Sequence, residues 1–587
     1  MTVRILFICF LLLKSPGFLF AQFQAYELQI ESDSDVDRLL NLDNGLYSDS
    51  ISLQLELRNL ILELQDQLYF EASIDELNWK DSTAVAQLHL GKKYKGFDIS
   101  YAGSDQEIMR FTKLNKLNDF KSRLLEEKLN AGFPFCMIKF DQLHFEGDVL
   151  EAELLVIENE RVRFDEIIIL GEAELSENFL ENFLDIKKGE YYNHALVNDV
   201  NRKLKQLSFL QVKSEPRLLF DKDGVDVYLF VEKRKASRFD LLLGLLPVND
   251  PLLDQSLIVT SLGLIDLHNV FENGENIYAK FEQLKPLTQE LELKFTWPFL
   301  FDSPFGLKSS GSFYKQDTSF IELEYELGVR FFLKGSDYIE AFLKSENTNV
   351  LNINESQIVN SKNLPGILDS RNTSFGIGLS FNNLDYLYNP RKGYLINAKF
   401  SFGKKRIPQN NDILELIDPF EPAFDFAILY ENISVEQDQF EYELDATYFF
   451  EIARSSTIKT SLRVGGIFSS GAILSNEQFR LGGARLLRGF NEQSFFVDEY
   501  YLGSLEYRLI LNRNTFAFAF ADFALLEDGS LMGTGSKRPL GFGAGFSFDT
   551  NTGIFNISLA LGRDLINPDD FFDIGEPKLH FGYVSLF

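Results

Sequence analysis

The chain has 587 residues, 58 of them Phe and 22 Tyr, and its mean hydropathy is −0.09. Its formal net charge of −30 argues against nucleic acid as a partner, because phosphate binding needs a basic surface. Aromatic richness at near-zero mean hydropathy favours many short, half-apolar strands over spanning helices, and beyond the N-terminal segment no run of about 18 apolar residues occurs.

The N-terminus predicts a signal peptide over residues 1–21. Arg4 supplies a positive start, ILFICFLLL (5–13) is a short apolar segment, and Ala21 stands at the expected cleavage site. The mature chain would keep one cysteine, Cys136, and therefore could not form an internal disulfide.

The segment that follows the signal mixes helix and strand patterns. Its clearest unit, residues 162–235, predicts one strand, two helices and two strands, the order β-α-α-β-β. The same order recurs more weakly upstream, so we predict three copies of one small α/β module, over 22–98, 99–161 and 162–235. A single irregular α/β domain is the alternative.

Residues 236–587 follow a period of two. FEYELDATYFF (440–450) places aromatic residues on one face and acidic residues on the other, and GIFNISLAL (553–561) alternates in the same way. A closed membrane barrel fits this pattern, because it leaves no backbone edge in lipid. Short links such as NRNT (512–515) alternate with long ones such as 525–539 and place both barrel ends in the periplasm. We predict an antiparallel transmembrane β-barrel of sixteen strands, with fourteen as the alternative.

Three stretches of this region carry further motifs: LLRGF (486–490), GSLEYRL (503–509) followed by FAFADFA (518–524), and NLDYLYNPRKGY (383–394). With the module array, they resemble the BamA/TamA family, the outer-membrane protein assembly factors that carry POTRA modules. The resemblance implies a Gram-negative outer-membrane protein with periplasmic POTRA-like modules. It also implies that Arg488, Gly489 and Phe490 belong to a loop folded into the barrel lumen.

The resemblance further implies that Glu506 and Asp522 are the acidic partners of Arg488. An arginine in a lumen keeps its charge, since its pKa exceeds about 12, and its planar fork can bind one carboxylate through two bonds. The family has Asp-x-Gly where this chain has Asp522-Phe523-Ala524. Either a bulge turns Asp522 inward or the aromatic residues on its face also point inward: Phe516, Phe518 and Phe520.

Glycines accompany this motif on the loop and on the wall. We expect Gly482 and Gly483 to let the loop turn tightly, because glycine tolerates a positive φ. Three more glycines share one face of a predicted strand and leave room for a segment to pack against the inner wall: Gly541, Gly543 and Gly545. The alternative is that Arg488 is a solvated loop residue and the glycines only bend the strands.

The C-terminus, HFGYVSLF (580–587), resembles a barrel-insertion signal. It ends in Phe587 and contains Tyr583. The resemblance implies a weak seam between the first strand, within 238–247, and the last strand, which Gly582 would shorten or loosen.

The sequence shows no motif for an enzyme, a cofactor or a metal. The five histidines have no ligand spacing, and GFGAG lies outside any Rossmann unit. The resemblance therefore implies a non-enzymatic insertase or translocase without cofactors. Its partners would be unfolded outer-membrane or surface proteins, outer-membrane lipids, and accessory periplasmic proteins or lipoproteins. The alternative is a dedicated secretion pore of the two-partner type for one surface passenger.

Overall fold

The computed structural model describes most of the chain. The described residues are 26–32, 46–47, 49–80, 83–101, 108–247, 257–285, 288–386, 389–431, 433–484, 486–491, 493–512, 514–530, 533, 535–550, 553–565 and 577–584. The predicted signal peptide lies outside these ranges. Within them, the helices are too short or too polar to cross a membrane. The chain divides into two compact units, Met1–Val162 with Tyr192–His194, and Arg163–Tyr191 with Ala195–Phe587.

The first unit contains two sheets of the same topology, each with one helix. The first module consists of β1 (Tyr26–Ser32), β2 (Leu46–Tyr47), α1 (Ser50–Asp66), β3 (Ser73–Lys80) and β4 (Thr83–His89). The second consists of β5 (Gly96–Tyr101), β6 (Met109–Phe111), α2 (Leu114–Asn130), β7 (Met137–Glu146) and β8 (Val149–Ile157). The strand orders are β2-β1-β4-β3 and β6-β5-β8-β7, and the central pair of each sheet is parallel.

Helix α1 shows why these segments fold as they do. Its buried residues recur at helical spacing and pack on the sheet of the first module: Leu53, Leu57, Leu60 and Leu64. Asp49 caps its N-terminus by accepting a hydrogen bond of 2.7 Å from the backbone N–H of Ser52. The capping hydrogen bond and the helical spacing of the apolar residues therefore specify the same helix.

The third module opens the second unit. It consists of β9 (Phe164–Leu170), α3 (Glu177–Leu184), α4 (His194–Gln206), β10 (Leu210–Val212), β11 (Arg217–Phe220) and β12 (Val225–Lys233). The first of the two strands predicted after the helices of this module is instead two short strands, β10 and β11, which both pair with β12. Pro216 lies between them, and a proline has no N–H to donate to the ladder.

The first two modules differ from the predicted order β-α-α-β-β. In their described residues the short strands β2 and β6 stand between the first strand and the single helix. The boundary predicted between residues 98 and 99 also falls inside β5, whose sheet is that of the second module. The remaining module boundaries stay predictions.

The rest of the chain forms one antiparallel sheet of sixteen strands within the described residues, which confirms the barrel with sixteen strands and not fourteen. The strands are β13 (Arg238–Pro247), β14 (Leu257–His268), β15 (Asn276–Lys285), β16 (Thr288–Trp297), β17 (Phe305–Gln316), β18 (Phe320–Lys334), β19 (Asp337–Val350), β20 (Ser370–Asn382), β21 (Gly393–Arg406), β22 (Glu436–Ala453), β23 (Ser456–Ser469), β26 (Glu499–Ile510), β27 (Phe516–Glu527), β28 (Pro539–Thr550), β29 (Gly553–Asp564) and β30 (Lys578–Val584). Two short strands outside this sheet, β24 (Phe479–Leu481) and β25 (Phe495–Val497), pair with each other. In the described parts of the chain, β13 pairs only with β14 and β30 only with β29.

The barrel strands are polar inside and apolar outside. In β20, Ser370, Asn372 and Ser374 are buried, whereas the alternating Phe375 and Ile377 are 61% and 55% exposed. This is the reverse of a water-soluble sandwich and is typical of a wall that faces lipid.

Long links at the outer end of the barrel build a structure that we call the external cap (residues 351–369 and 407–435). It contains α5 (Glu355–Ser361), α6 (Asn411–Leu414) and a 3₁₀ turn at Phe426–Tyr430. Its buried core includes Ile358, Ile413 and Phe426, each 1% exposed. The cap is therefore a packed structure with its own apolar core.

Within the second unit, the third module packs on the turns at the barrel end opposite the external cap, which we call the inner turns. The Phe179 ring of α3 lies where a Cβ on Gly274 would stand, only 2.0 Å away, and its centroid is 5.7 Å from that of Phe299. In α4, Arg202 Nη1 donates to Asn383 Oδ1 at 3.2 Å, and Gln206 Nε2 donates to the carbonyl oxygen of Asn382 at 2.9 Å. Both helices of this module thus contact barrel turns.

Candidate functional site in the barrel lumen

The link between β23 and β26, residues 470–498, folds back among the inner-wall residues, and we call it the lumen loop. Its strands β24 and β25 form a hairpin whose tip carries the predicted motif. Gly482 and Gly483 adopt φ values of 123° and 85°, which only glycine takes without strain. A Cβ on Gly482 would also stand 2.3 Å from the carbonyl oxygen of Asn491. The two glycines therefore permit the tight turn.

Arg488, at the tip, binds Asp522 of β27 through two parallel hydrogen bonds. Nε donates to Oδ2 at 2.8 Å and Nη2 donates to Oδ1 at 2.7 Å. The backbone N–H of Arg488 reaches Oδ2 as well, at 3.2 Å. Asp522 is 1% exposed, so this carboxylate is bound by the loop in an environment with little water.

The same guanidinium also reaches the neighbouring strand. Arg488 Nη1 donates to Glu506 Oε2 of β26 at 2.6 Å, and Nη2 donates to the hydroxyl oxygen of Ser504 at 3.1 Å. Its Cζ lies 3.5 Å from the centroid of the Phe520 ring, a cation–π contact. One loop residue therefore joins the loop tip to two adjacent wall strands.

A second arginine also binds Glu506. Arg508 Nε donates to the other oxygen of Glu506 at 2.8 Å, and its Nη1 donates to Asn389 Oδ1 at 3.0 Å. Asn389 belongs to the Asn-Pro-x-x-Gly stretch that carried part of the resemblance. Two arginines and two carboxylates thus form one hydrogen-bonded network, which offsets part of the high cost of burying each charge alone.

Phe490 completes the motif on the apolar side. Its ring meets that of Phe495 edge-on, with centroids 5.1 Å apart. It packs on a buried cluster in which Leu481 and Leu487 of the loop meet Leu502 of β26. The loop tip is held by apolar packing as well as by charge.

Glycines let the loop backbone lie directly on the wall. A Cβ on Gly541 of β28 would stand 1.9 Å from the carbonyl oxygen of Arg488, and one on Gly562 of β29 would stand 2.5 Å from that of Gly489. The N–H of Gly489 points to His580 Nε2 of the last strand at 3.4 Å. Arg488 and Gly489 therefore lie against β28, β29 and β30, beside the seam between the first and last strands.

Gly543 and Gly545 have a different role from the one expected. The room they leave is taken by the rings of Phe520 and Phe518, which a Cβ would meet at 2.8 and 2.4 Å, and not by the loop. These phenylalanines are buried on the same face as Asp522, so they point inward together and no bulge turns the carboxylate.

The predicted C-terminal residues are described only in part. Gly582 pairs with Asn556 and Tyr583 with Phe555, so the ladder of β30 continues through the glycine. Phe587 lies outside the described residues.

The sequence missed several members of the site. Ser504, Arg508 and Phe520 contact the Arg488 network; they lie inside the stretches 503–509 and 518–524 but were assigned no contact with Arg488, and their common signal is alternation onto the inward face of β26 and β27. In the sequence His580 is one of five scattered histidines, with no signal of its contact with Gly489.

One group outside the lumen could hold a metal ion. His144, Glu146 and Glu151 of the β7–β8 hairpin place one ligand atom each within 4.8 Å of one another. They are close across two strands, which a search for spacing along the sequence cannot detect. Exposed carboxylates often gather without an ion, so we assign no metal to this group.

Fold and site define the class of protein: a membrane β-barrel with soluble α/β modules and a lumen loop held by an arginine. The model of the Omp85 superfamily domain matches residues 269–584, and that of the surface antigen variable number repeat, POTRA, matches 162–234. The first match covers more than half of the chain, which therefore belongs to the Omp85 superfamily. Its barrel lies in the outer membrane and its modules in the periplasm.

Solved structures share this fold at low sequence identity. CdiB from Acinetobacter baumannii is 15% identical with a TM-score of 0.50, over 92% of this chain and 98% of that one. CdiB from Escherichia coli is 13% identical with a TM-score of 0.52, over 91% and 98%. BamA from Haemophilus ducreyi lacking POTRA domains 1-3 is 13% identical with a TM-score of 0.44, over 82% and 95%. Among curated proteins, none matches the sequence.

Proposed function

We propose that this Omp85 protein receives unfolded client proteins on its periplasmic modules and inserts or exports them at the seam between β13 and β30. The observation that supports the proposal most is the lumen loop. Arg488 joins it to β26 and β27, while Gly489 lies against β29 and next to His580 of β30. A loop held there couples the lumen to the strands that would have to part.

Client capture is supported by the edge strand β7. It forms one edge of the sheet β6-β5-β8-β7 and is exposed along nearly its whole length. Leu143 and Phe145 are 56% and 50% exposed on it. An exposed edge offers backbone donors and acceptors to an extended chain, and apolar side chains add affinity for unfolded segments. The work would need no nucleotide, because strand pairing and burial of the client in lipid supply the driving force.

Insertion is favoured over dedicated export by the external cap. A passenger that pushed the lumen loop aside would have to disrupt the apolar core of the cap, because Leu474 of the loop is 0% exposed within that core. A client released sideways into the membrane would leave that core intact. Accessory periplasmic proteins or lipoproteins remain a prediction.

Depletion of the protein followed by outer-membrane proteomics tests the proposal. We expect the abundance of many β-barrel proteins to fall together. Loss of a single surface protein would favour the dedicated secretion pore, and an unchanged outer-membrane proteome would contradict both functions.

A further inference from the structure

A second arginine of the lumen loop contacts the wall far from Arg488. Arg480 lies in β24, and its Nη2 donates to Glu322 Oε2 of β18 at 2.8 Å. Its Cζ stands 4.1 Å from the ring centroid of Tyr314 in β17. Tyr314 and Glu322 are cross-strand partners, so one spot on the wall supplies both contacts.

The two arginines reach nearly opposite sides of the barrel. In the order of the sixteen-stranded sheet, β17 and β18 are fifth and sixth, whereas β26 and β27 are twelfth and thirteenth. Strands seven positions apart in a ring of sixteen lie almost across its diameter. The loop therefore crosses the lumen and is held at both walls, by Arg480 at one and by Arg488 at the other.

Two lumen cavities meet at Arg480. The outer cavity, about 250 Å³, is lined by residues such as Glu346, Ser370 and Gln439. The inner cavity, about 810 Å³, is lined by residues such as Glu340, Lys399 and Asp445. Among the described lining residues, Arg480 is the one side chain common to both. It therefore stands in the partition between them.

We propose that Arg480 is a positioning residue that fixes the hairpin across the lumen and keeps the outer and inner cavities separate. This inference rests on the proposed function, in which the lumen must stay closed to ions while a client passes the seam. The Arg488 contacts alone hold only the tip of the hairpin. Without the Arg480–Glu322 pair the base of β24 can leave β18, and the two cavities join into one water-filled path.

The Lys405–Glu477 pair holds the root of the loop separately. Lys405 of β21 is 0% exposed, and its Nζ donates to Glu477 Oε2 at 2.8 Å and to the carbonyl oxygen of Ala472 at 2.7 Å. Loss of Arg480 should therefore release β24 from β18 without unfolding the root of the loop. This makes a change in conductance, rather than loss of the barrel, the expected result.

Ion conductance of the full-length protein in planar bilayers tests the proposal. We expect Arg480→Ala and the isosteric Glu322→Gln to raise conductance several-fold over wild type. The charge swap Arg480→Glu with Glu322→Arg should restore the low value, because it rebuilds the pair in reverse. The matched control is Arg463→Ala, since Arg463 lines the same inner cavity but pairs with Asp445 between neighbouring wall strands. It should conduct like wild type.

The proposal is overturned if Arg480→Ala and Glu322→Gln conduct like wild type, or if Arg463→Ala leaks as much as they do. A swap as leaky as the single variants would also overturn it. Heat-modifiable gel mobility shows that each variant has a folded barrel. Client insertion by the wild-type protein is measured in parallel. Absence of insertion would refute the proposed function, whereas the difference in conductance between the variants tests the role of Arg480.

Discussion

Arg488 and Asp522 share two parallel hydrogen bonds, of 2.8 and 2.7 Å, across the boundary between a loop and a wall strand. This fork geometry fixes both the distance and the angle of the loop tip, which a single point charge cannot do. Together with Glu506 on the next strand, this pair sets the position of the loop tip, residues 488–490, beside the seam.

Replacing Arg488 should therefore free the loop tip but leave the barrel folded. Hydrogen bonds to charged groups contribute about 1.5–3 kcal/mol each, and breaking a buried pair from one side costs about 3–5 kcal/mol. Arg488→Ala should lower client insertion strongly and expose the loop to protease, and Arg488→Lys should rescue poorly.

The control for this prediction is Arg508→Ala, which removes the second arginine hydrogen-bonded to Glu506 but leaves the loop bound to Asp522. It should impair insertion less than Arg488→Ala. Equal effects from the two variants would mean that Glu506, and not the loop contact, determines function.

We expect clients to bind at the exposed edge of β7. Leu143→Lys should weaken binding of an unfolded barrel segment to the full-length protein, because a lysine on an exposed edge opposes strand addition. Ile51→Lys is the matched control, since Ile51 is 68% exposed but lies on α1. Fluorescence titration with a labelled client peptide would measure both. Equal affinities for the two variants would argue against capture at β7.

Truncations should separate capture from barrel support. A protein lacking residues 22–161 should form the barrel but lose client handling. Removal of 22–235 should in addition loosen the inner turns, because it exposes Phe299, whose ring packs on Phe179 of the third module. Hydrogen exchange at the barrel turns would measure this difference. Full insertion activity by either truncated protein would contradict a role of the modules.

The external cap should open when a side chain of its apolar core is truncated. Phe426→Ala should cost about 3–5 kcal/mol of local stability, as for other buried phenylalanines. Protease cleavage within 407–435 should increase, while the heat-modifiable mobility of the barrel stays unchanged. Phe420, which is 91% exposed in the same link, provides the control Phe420→Ala. If both variants resist protease equally, the cap is not held by its apolar core.

A salt bridge makes the stability of the external cap depend on pH. The ammonium of Lys362 hydrogen-bonds the carboxylate of Asp418 and lowers its pKa below the usual range. A carboxyl group with a depressed pKa stabilises the fold above its unfolded pKa, about 3.9, and that stability is lost as the pH falls through the lower folded value. The cap is therefore expected to loosen in acid.

Much of this molecule could be predicted from the sequence because local and global patterns agree. The period of two indicated the barrel and placed Glu506 on the polar face of its strand, while its pairing with Arg488 was implied by the family resemblance. The separate contacts of Arg480 and Arg508 could not be predicted, because their partners Glu322 and Asn389 lie more than a hundred positions away. The same limit hid the close approach of Gly489 to Gly562, which depends on how far the loop penetrates.

Reconstitution tests the central claim most directly. The purified protein in liposomes would be mixed with an unfolded outer-membrane β-barrel client, and folded, protease-protected client would be measured over time. We expect faster and more complete insertion than in empty liposomes, and a rate close to that of empty liposomes for Arg488→Ala. Equal insertion in wild-type, Arg488→Ala and empty liposomes would contradict the account.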